Sequence, residues 1–165
     1  MQVSTLLAKF SKLVTKSGRG FWTSTCEGPS LVPEKPLYGW NLKGVIINIV
    51  STAAFNSSNG ANPAHYVASK HAVAGLTKSL AVELGPKGIR TVGVAPTLTE
   101  TPGVNSKRAE GDAVTEALIQ YAQGLPLGRL GLPDDIARVV LFAASDLGAF
   151  VTGTIIPVDG GDLAR

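Results

Sequence analysis

The stretch Gly44-Val45-Ile46-Ile47-Asn48-Ile49-Val50-Ser51 decides the architecture. Its aliphatic, mostly β-branched run is broken only by Asn48, which is how a strand covered on both faces reads, and such strands belong to parallel sheets. Downstream the period changes. From about Pro63 onward, Val73, Leu76, Leu80 and Leu84 recur at helical spacing, and Gly85-Pro86 is expected to end that helix. Ile89 to Ala95 reads as a second strand and Ala113 to Gln123 as a second helix. Another helix runs from Pro133 through Ser145, with Asp134 and Asp135 in its first turn, where the helix dipole favours anions. Thr154 to Val158 reads as a third strand, closed by Asp159-Gly160-Gly161. This order predicts part of a doubly wound, parallel α/β sheet with flanking helices.

The chain has 165 residues, of which 44% are hydrophobic and 16% charged, with a mean hydropathy of +0.21. Such a composition excludes disorder for the bulk of the chain and suits a single core. Cys26 stands alone, so no intrachain disulfide forms, and no apolar run approaches the roughly 18 residues of a membrane span. A cytoplasmic protein is expected.

Charge divides the chain in two. Residues 1–43 carry six basic residues against two acids, whereas residues 44–165 carry nine against ten. The second part is nearly neutral, which argues against a nucleic-acid surface. In the first part, Leu6, Leu7, Phe10, Leu13 and Val14 fit one face of a short helix, and Gly20 to Tyr38 reads as loop. Residues 1–43 are therefore expected to be an irregular basic segment and residues 44–165 the α/β domain. Residues 1–26 contain no acid and are rich in Ser and Thr, traits of an organelle transit peptide that make a mitochondrial location the alternative.

Chemistry concentrates at three positions. Tyr66 and Lys70, four apart, share one face of the predicted helix. A phenol ordinarily titrates near pH 10, and an ammonium beside one favours its ionised form, as proton transfer near neutrality requires. Ser51 follows the first strand directly, at the carboxyl end where open α/β sheets bind ligands, and could donate to a substrate carbonyl oxygen. The plainer readings are a surface Tyr–Lys pair and a serine that caps a turn. His65 and His71 have no neighbouring set of metal ligands, and no metal site is expected.

These residues resemble those of the short-chain dehydrogenase/reductase family, the NAD(P)-dependent oxidoreductases built on a Rossmann fold. The landmarks come in the family's order: Ile47-Asn48-Ile49-Val50-Ser51, Tyr66-Val67-Ala68-Ser69-Lys70, Gly88-Ile89-Arg90-Thr91-Val92, the loop from Pro96 through Thr101, Pro126-Leu127-Gly128-Arg129 and Val158-Asp159-Gly160-Gly161. The resemblance implies that Tyr66 exchanges a proton with the substrate oxygen, that Lys70 holds the nicotinamide ribose, and that Ser51 orients the substrate. It implies that backbone groups near Leu98 and Thr99 meet the nicotinamide amide, that Thr101 also faces the cofactor, and that Pro102 to Leu125 forms the variable cover over the substrate. Asn41 resembles the family's fourth catalytic residue, an asparagine, although here the serine strand follows it at once.

Some family features are not found. No glycine-rich turn follows a strand near the N-terminus, and Gly18-Arg19-Gly20 reads as a loop. Ala95 and Thr97 flank Pro96 where the family usually has Asn and Gly. The resemblance thus covers the C-terminal half of the fold, truncated at its N-terminal half, and would leave Val45 to Val50 with an unpaired apolar edge. That edge and the Tyr66 helix are expected to drive homo-oligomerisation or another assembly. Two functions follow from the resemblance: an oxidoreductase interconverting a carbonyl and a secondary alcohol with NAD or NADP, NADP slightly favoured, or a catalytically weak or inactive remnant acting as an interaction module. A small-molecule substrate, and neither nucleic acid nor membrane, is the expected partner.

Overall fold

The computed structural model describes residues 20–24, 44–56, 62–108 and 111–165. The predicted short helix at Leu6 to Val14, the rest of the basic segment, and Asn41 lie outside the described residues. Four parallel strands, β1 (Gly20–Ser24), β2 (Gly44–Ile49), β3 (Ile89–Pro96) and β4 (Ile155–Val158), lie side by side in sequence order. Among the described residues four α-helices accompany them: α1 (Ala64–Leu84), α2 (Pro102–Arg108), α3 (Asp112–Gly124) and α4 (Pro133–Ala144).

The sheet is buried on both sides, as the apolar run of β2 requires. On one face Val45 and Ile47 of β2 pack with Val92 and Val94 of β3 against Val140 and Ala143 of α4. On the other, Val50 and Ala95 pack with Ala54 and with Val73 of α1. Alternate residues of a strand point to opposite faces, so covering both faces needs helices on both, which is the doubly wound arrangement. Gly93, in the middle of β3, is held by close approach. A Cβ there would lie 2.8 Å from Ile155 Cγ1 and 3.0 Å from Val50 Cγ2.

Two expectations are corrected. Gly20–Ser24, read as loop, is a strand that pairs in parallel with β2 from Gly20 opposite Gly44 to Ser24 opposite Asn48. Its Phe21-Trp22-Thr23 core is strand-favouring by residue type, a preference masked by the Gly, Ser and Pro around it. β2 is consequently flanked by β1 and β3, and the unpaired apolar edge expected along it is not there.

The end of α1 falls where Gly85-Pro86 was expected to put it, after Leu84. Gly85 keeps right-handed helical geometry and starts a single 3-10 turn, Gly85–Lys87, whereas Gly88 takes the left-handed conformation, φ 75°, that leads the chain into β3. The reversal therefore falls at the second glycine of Gly85-Pro86-Lys87-Gly88, because that is where positive φ is needed.

The segment from Pro102 to Leu125, expected to cover the substrate, carries two helices, α2 and α3. Pro133 occupies the first turn of α4, and Asp135 reaches back to accept the backbone N–H of Leu132 at 2.9 Å. Arg129 clamps the same carboxylate with two nitrogens, at 2.7 and 3.3 Å. No helix among the described residues is long and apolar enough to cross a membrane.

Candidate active site

The carboxyl ends of β2 and β3 meet at one edge of the sheet, where Val50 donates its backbone N–H to the Val94 carbonyl at 2.7 Å. Ser51 sits at that edge, buried, and starts the 3-10 turn Thr52–Ala54. Its Oγ accepts the Ala53 N–H at 3.2 Å. The capping role and the chemical role are compatible here, because a hydroxyl oxygen that accepts one bond still carries a hydrogen to donate.

α1 is seated beside that turn through the Val73 and Ala54 contact, which brings its first two turns over the end of β2. Tyr66 is half-buried near the start of α1, and its carbonyl accepts the Ser69 hydroxyl at 2.7 Å. Lys70 is buried, with 7% exposure. Its Nζ lies 5.6 Å from the centroid of the Tyr66 ring and donates to the Ile49 carbonyl at 3.1 Å. The helical spacing thus joins phenol and ammonium, and the strand's last carbonyl anchors the ammonium two residues before Ser51.

Burying an ammonium costs several kcal/mol unless its donors are satisfied. Lys70 has three N–H donors and, among the described residues, a single hydrogen-bond acceptor. Polar ligand oxygens would suit the remainder, as the hydroxyls of a ribose would. This chemistry fits the nicotinamide cofactor that the family implies.

The loop after β3 supports the same fit. Thr99 forms a parallel bridge with Gly131: Gly131 donates its N–H to the Leu98 carbonyl at 3.2 Å, and Glu100 donates to the Gly131 carbonyl at 2.8 Å. In an extended segment successive peptide groups face opposite sides, so the N–H and C=O of Thr99 point away from Gly131. Among the described residues neither makes a hydrogen bond, so a donor and an acceptor are available side by side, as a carboxamide requires. The Thr99 hydroxyl itself donates to the Thr97 carbonyl at 2.9 Å. Thr101 is exposed and its Oγ accepts the Val104 N–H at 3.3 Å, at the start of α2. Geometry therefore gives Thr101 a capping contact, and Leu98 a backbone carbonyl already taken by Gly131.

Sequence reasoning missed two groups of polar side chains around this edge. Asn48 donates to Thr77 Oγ at 2.9 Å between β2 and α1, both side chains fully buried. Thr97, Tyr121 and Asp162 converge from three separate segments. The polar break at Asn48 in an apolar run was the visible trace of the first. Nothing local marked the second.

A parallel sheet covered on both faces, with a tyrosine, a lysine and a serine gathered at one carboxyl edge, defines a Rossmann-like α/β fold of the short-chain dehydrogenase/reductase type. The chain belongs to that family. A family model described as enoyl-(acyl carrier protein) reductase matches residues 7–162. A 3alpha-hydroxysteroid dehydrogenase of Mediterraneibacter gnavus is 48% identical over 118 residues, which are 71% of this chain and 44% of that enzyme. A cyclohexanol dehydrogenase of Rhodococcus sp. is 43% identical over 72% of this chain and 42% of its own length. A solved structure of a putative 2-deoxy-D-gluconate 3-dehydrogenase from Agrobacterium tumefaciens, with bound NADP, superposes with a TM-score of 0.65 at 38% identity, covering 76% of this chain and 48% of that one. The chain spans less than half the length of these relatives.

Proposed function

We propose that the chain carries the proton-transfer and nicotinamide-facing part of an NAD(P)-dependent oxidoreductase that interconverts a carbonyl and a secondary alcohol. The observation that carries this reading is the buried Lys70 ammonium, held between the Tyr66 ring and the Ile49 carbonyl with donors to spare at the edge where Ser51 emerges.

A bound reduced nicotinamide supplies the hydride. In reduction, Tyr66 gives its hydroxyl proton to the substrate oxygen, and Ser51 donates a hydrogen bond to that oxygen as negative charge builds on it. The positive charge of Lys70 offsets the charge left on the Tyr66 oxygen, and its remaining N–H groups bind the ribose hydroxyls. Oxidation of the alcohol runs these transfers in reverse. Thr99 would receive the carboxamide through its backbone N–H and C=O. Asn41 is assigned the role of a further catalytic polar group, and Thr101 that of a neighbour of the cofactor loop. The cofactor is NAD or NADP; the NADP in the Agrobacterium structure supports trying NADPH first. The substrate is a small molecule whose class is set by residues 102–125.

The test is to titrate the full chain with NADPH and NADH, following nicotinamide fluorescence, and to monitor absorbance at 340 nm with a panel of ketones and aldehydes. Wild type is expected to bind one reduced cofactor, and Tyr66→Phe to bind it while losing turnover by roughly 100-fold or more. Absence of binding by either cofactor at millimolar concentration overturns the reading, as does a Tyr66→Phe variant of unchanged rate.

A further inference from the structure

Thr97 follows Pro96 at the end of β3, where the family usually has a glycine, and in this chain its side chain is put to use. The Thr97 Oγ donates to Asp162 Oδ2 at 2.7 Å and lies 2.6 Å from the Tyr121 hydroxyl. Tyr121 in turn donates to the same Asp162 oxygen at 2.7 Å. The other carboxylate oxygen of Asp162 receives Arg165 Nη2 at 2.8 Å and Nε at 3.1 Å. Arg165 also donates through Nη1 to the Gly124 carbonyl at 2.8 Å, and its guanidinium lies 5.5 Å from the Tyr121 ring centroid. All of Thr97, Tyr121 and Asp162 are half-buried.

The cluster draws together three segments far apart in sequence: the loop leaving β3, the last turns of α3, and the C-terminal 3-10 turn Asp162–Ala164. With Asp162 ionised, two hydroxyl protons serve three oxygen–oxygen contacts, so neither hydroxyl keeps a hydrogen to hand to a substrate. Hydroxyls committed in this way suit a part of position. Arg165 neutralises the carboxylate and closes a carbonyl at the end of α3, where helices leave such groups unsatisfied.

We infer that Thr97, Tyr121 and Asp162 are positioning residues, forming a latch that holds α3 against the loop carrying Leu98 and Thr99. The latch ties the helix expected to cover the substrate to the backbone expected to meet the nicotinamide, so occupancy of one site stiffens the other. This coupling rests on the oxidoreductase reading above, whereas the mechanical tie does not.

Amide hydrogen exchange on the full chain, read by mass spectrometry, tests the tie. In Thr97→Val, which keeps the volume and removes the hydroxyl, and in Tyr121→Phe, peptides covering residues 98–104 and 113–125 are expected to exchange about tenfold faster. Peptides covering β2 and β3 are expected to keep their protection, and Thr97→Ser, which restores the hydroxyl, to behave as wild type. Wild-type exchange in Thr97→Val, or acceleration spread equally through β2 and β3, overturns the latch. The coupling is read by NADPH titration and by the split between KM and kcat for a carbonyl substrate. Thr97→Val is expected to raise the cofactor Kd and the substrate KM about tenfold with kcat little changed, and Thr97→Ser to leave all three alone. Equal constants in wild type and Thr97→Val overturn the coupling. If wild type binds neither cofactor, the oxidoreductase reading and the coupling fall together, while the exchange comparison still decides the tie.

Discussion

Replacing Thr77 by valine tests whether a single buried polar contact sets the seat of α1, and with it the place of Lys70. Thr77 is fully buried; its Oγ accepts from Asn48 at 2.9 Å and donates to the Val73 carbonyl one turn earlier at 2.8 Å. Asn48 adjoins Ile49, whose carbonyl takes the Lys70 ammonium, and Thr77 lies about two turns along the helix from Lys70. The pair therefore fixes rotation and slide of α1 on β2 at a second point. Valine keeps the shape, so no cavity forms. What is lost is two hydrogen bonds, the one accepted from Asn48 and the one donated to the Val73 carbonyl, at about 1 kcal/mol each. Thr77→Val is thus expected to cost about 2 kcal/mol, or roughly 4–8 °C in Tm for a chain of this size. Urea unfolding followed by far-UV circular dichroism measures it. A double-mutant cycle with Asn48→Ala is expected to show about 1 kcal/mol of coupling, because residues in contact do not add. A Thr77→Val loss below about 0.5 kcal/mol, or strict additivity with Asn48→Ala, refutes the reasoning.

Two other outcomes follow from packing and charge. Gly93→Ala places a methyl against Ile155 and Val50 in a two-sided core and is expected to destabilise by about 1–3 kcal/mol, read by the same unfolding assay, because the clash outweighs the smaller preference of a strand for alanine over glycine. The latch has a pH window with a sign on each side. Burial works against the Asp162 charge, but hydrogen bonds from Thr97, Tyr121 and Arg165 outweigh it and hold the carboxyl below its usual range. Its stabilisation is therefore present above the ordinary carboxylate pKa and lost as pH falls through the depressed one, and Asp162→Asn is expected to remove that acid-side loss from unfolding curves. Burial, reinforced by Asp162, holds the Tyr121 hydroxyl above the usual tyrosine range despite the Thr97 bond and the Arg165 charge. Stability from its neutral form persists below the ordinary pKa and is lost as pH climbs through the raised one. Absorbance at 295 nm is expected to show a late-titrating phenol that Tyr121→Phe deletes.

Much of the candidate site was legible in the chain because its parts are local. Tyr66 and Lys70 are one helical turn apart, so their meeting follows from helix geometry once the helix is recognised. Ser51 is next to the strand that places it. The apolar run of β2 called for cover on both faces, and α1 and α4 supply it. Where local cues conflicted, the reading failed: Phe21-Trp22-Thr23 was outweighed by the turn-forming residues around it, and its pairing with β2 is a long-range fact. The end of α1 was legible too, since Gly85-Pro86 stops the helix after Leu84, whereas the left-handed turn that follows falls at Gly88.

By itself the amino-acid order determined the α/β class, the parallel character of β2 and β3, and the adjacency of phenol, ammonium and strand end, because these rest on periodicities of two and about 3.6 residues. Tertiary structure alone decided that Lys70 would be buried against the Ile49 carbonyl, that Asn48 would find Thr77, and that Thr97, Tyr121 and Asp162 would meet. Such contacts join segments whose separation along the chain carries no repeating pattern. They form only when packed layers bring the segments within reach and exclude the water that would otherwise satisfy their polar groups.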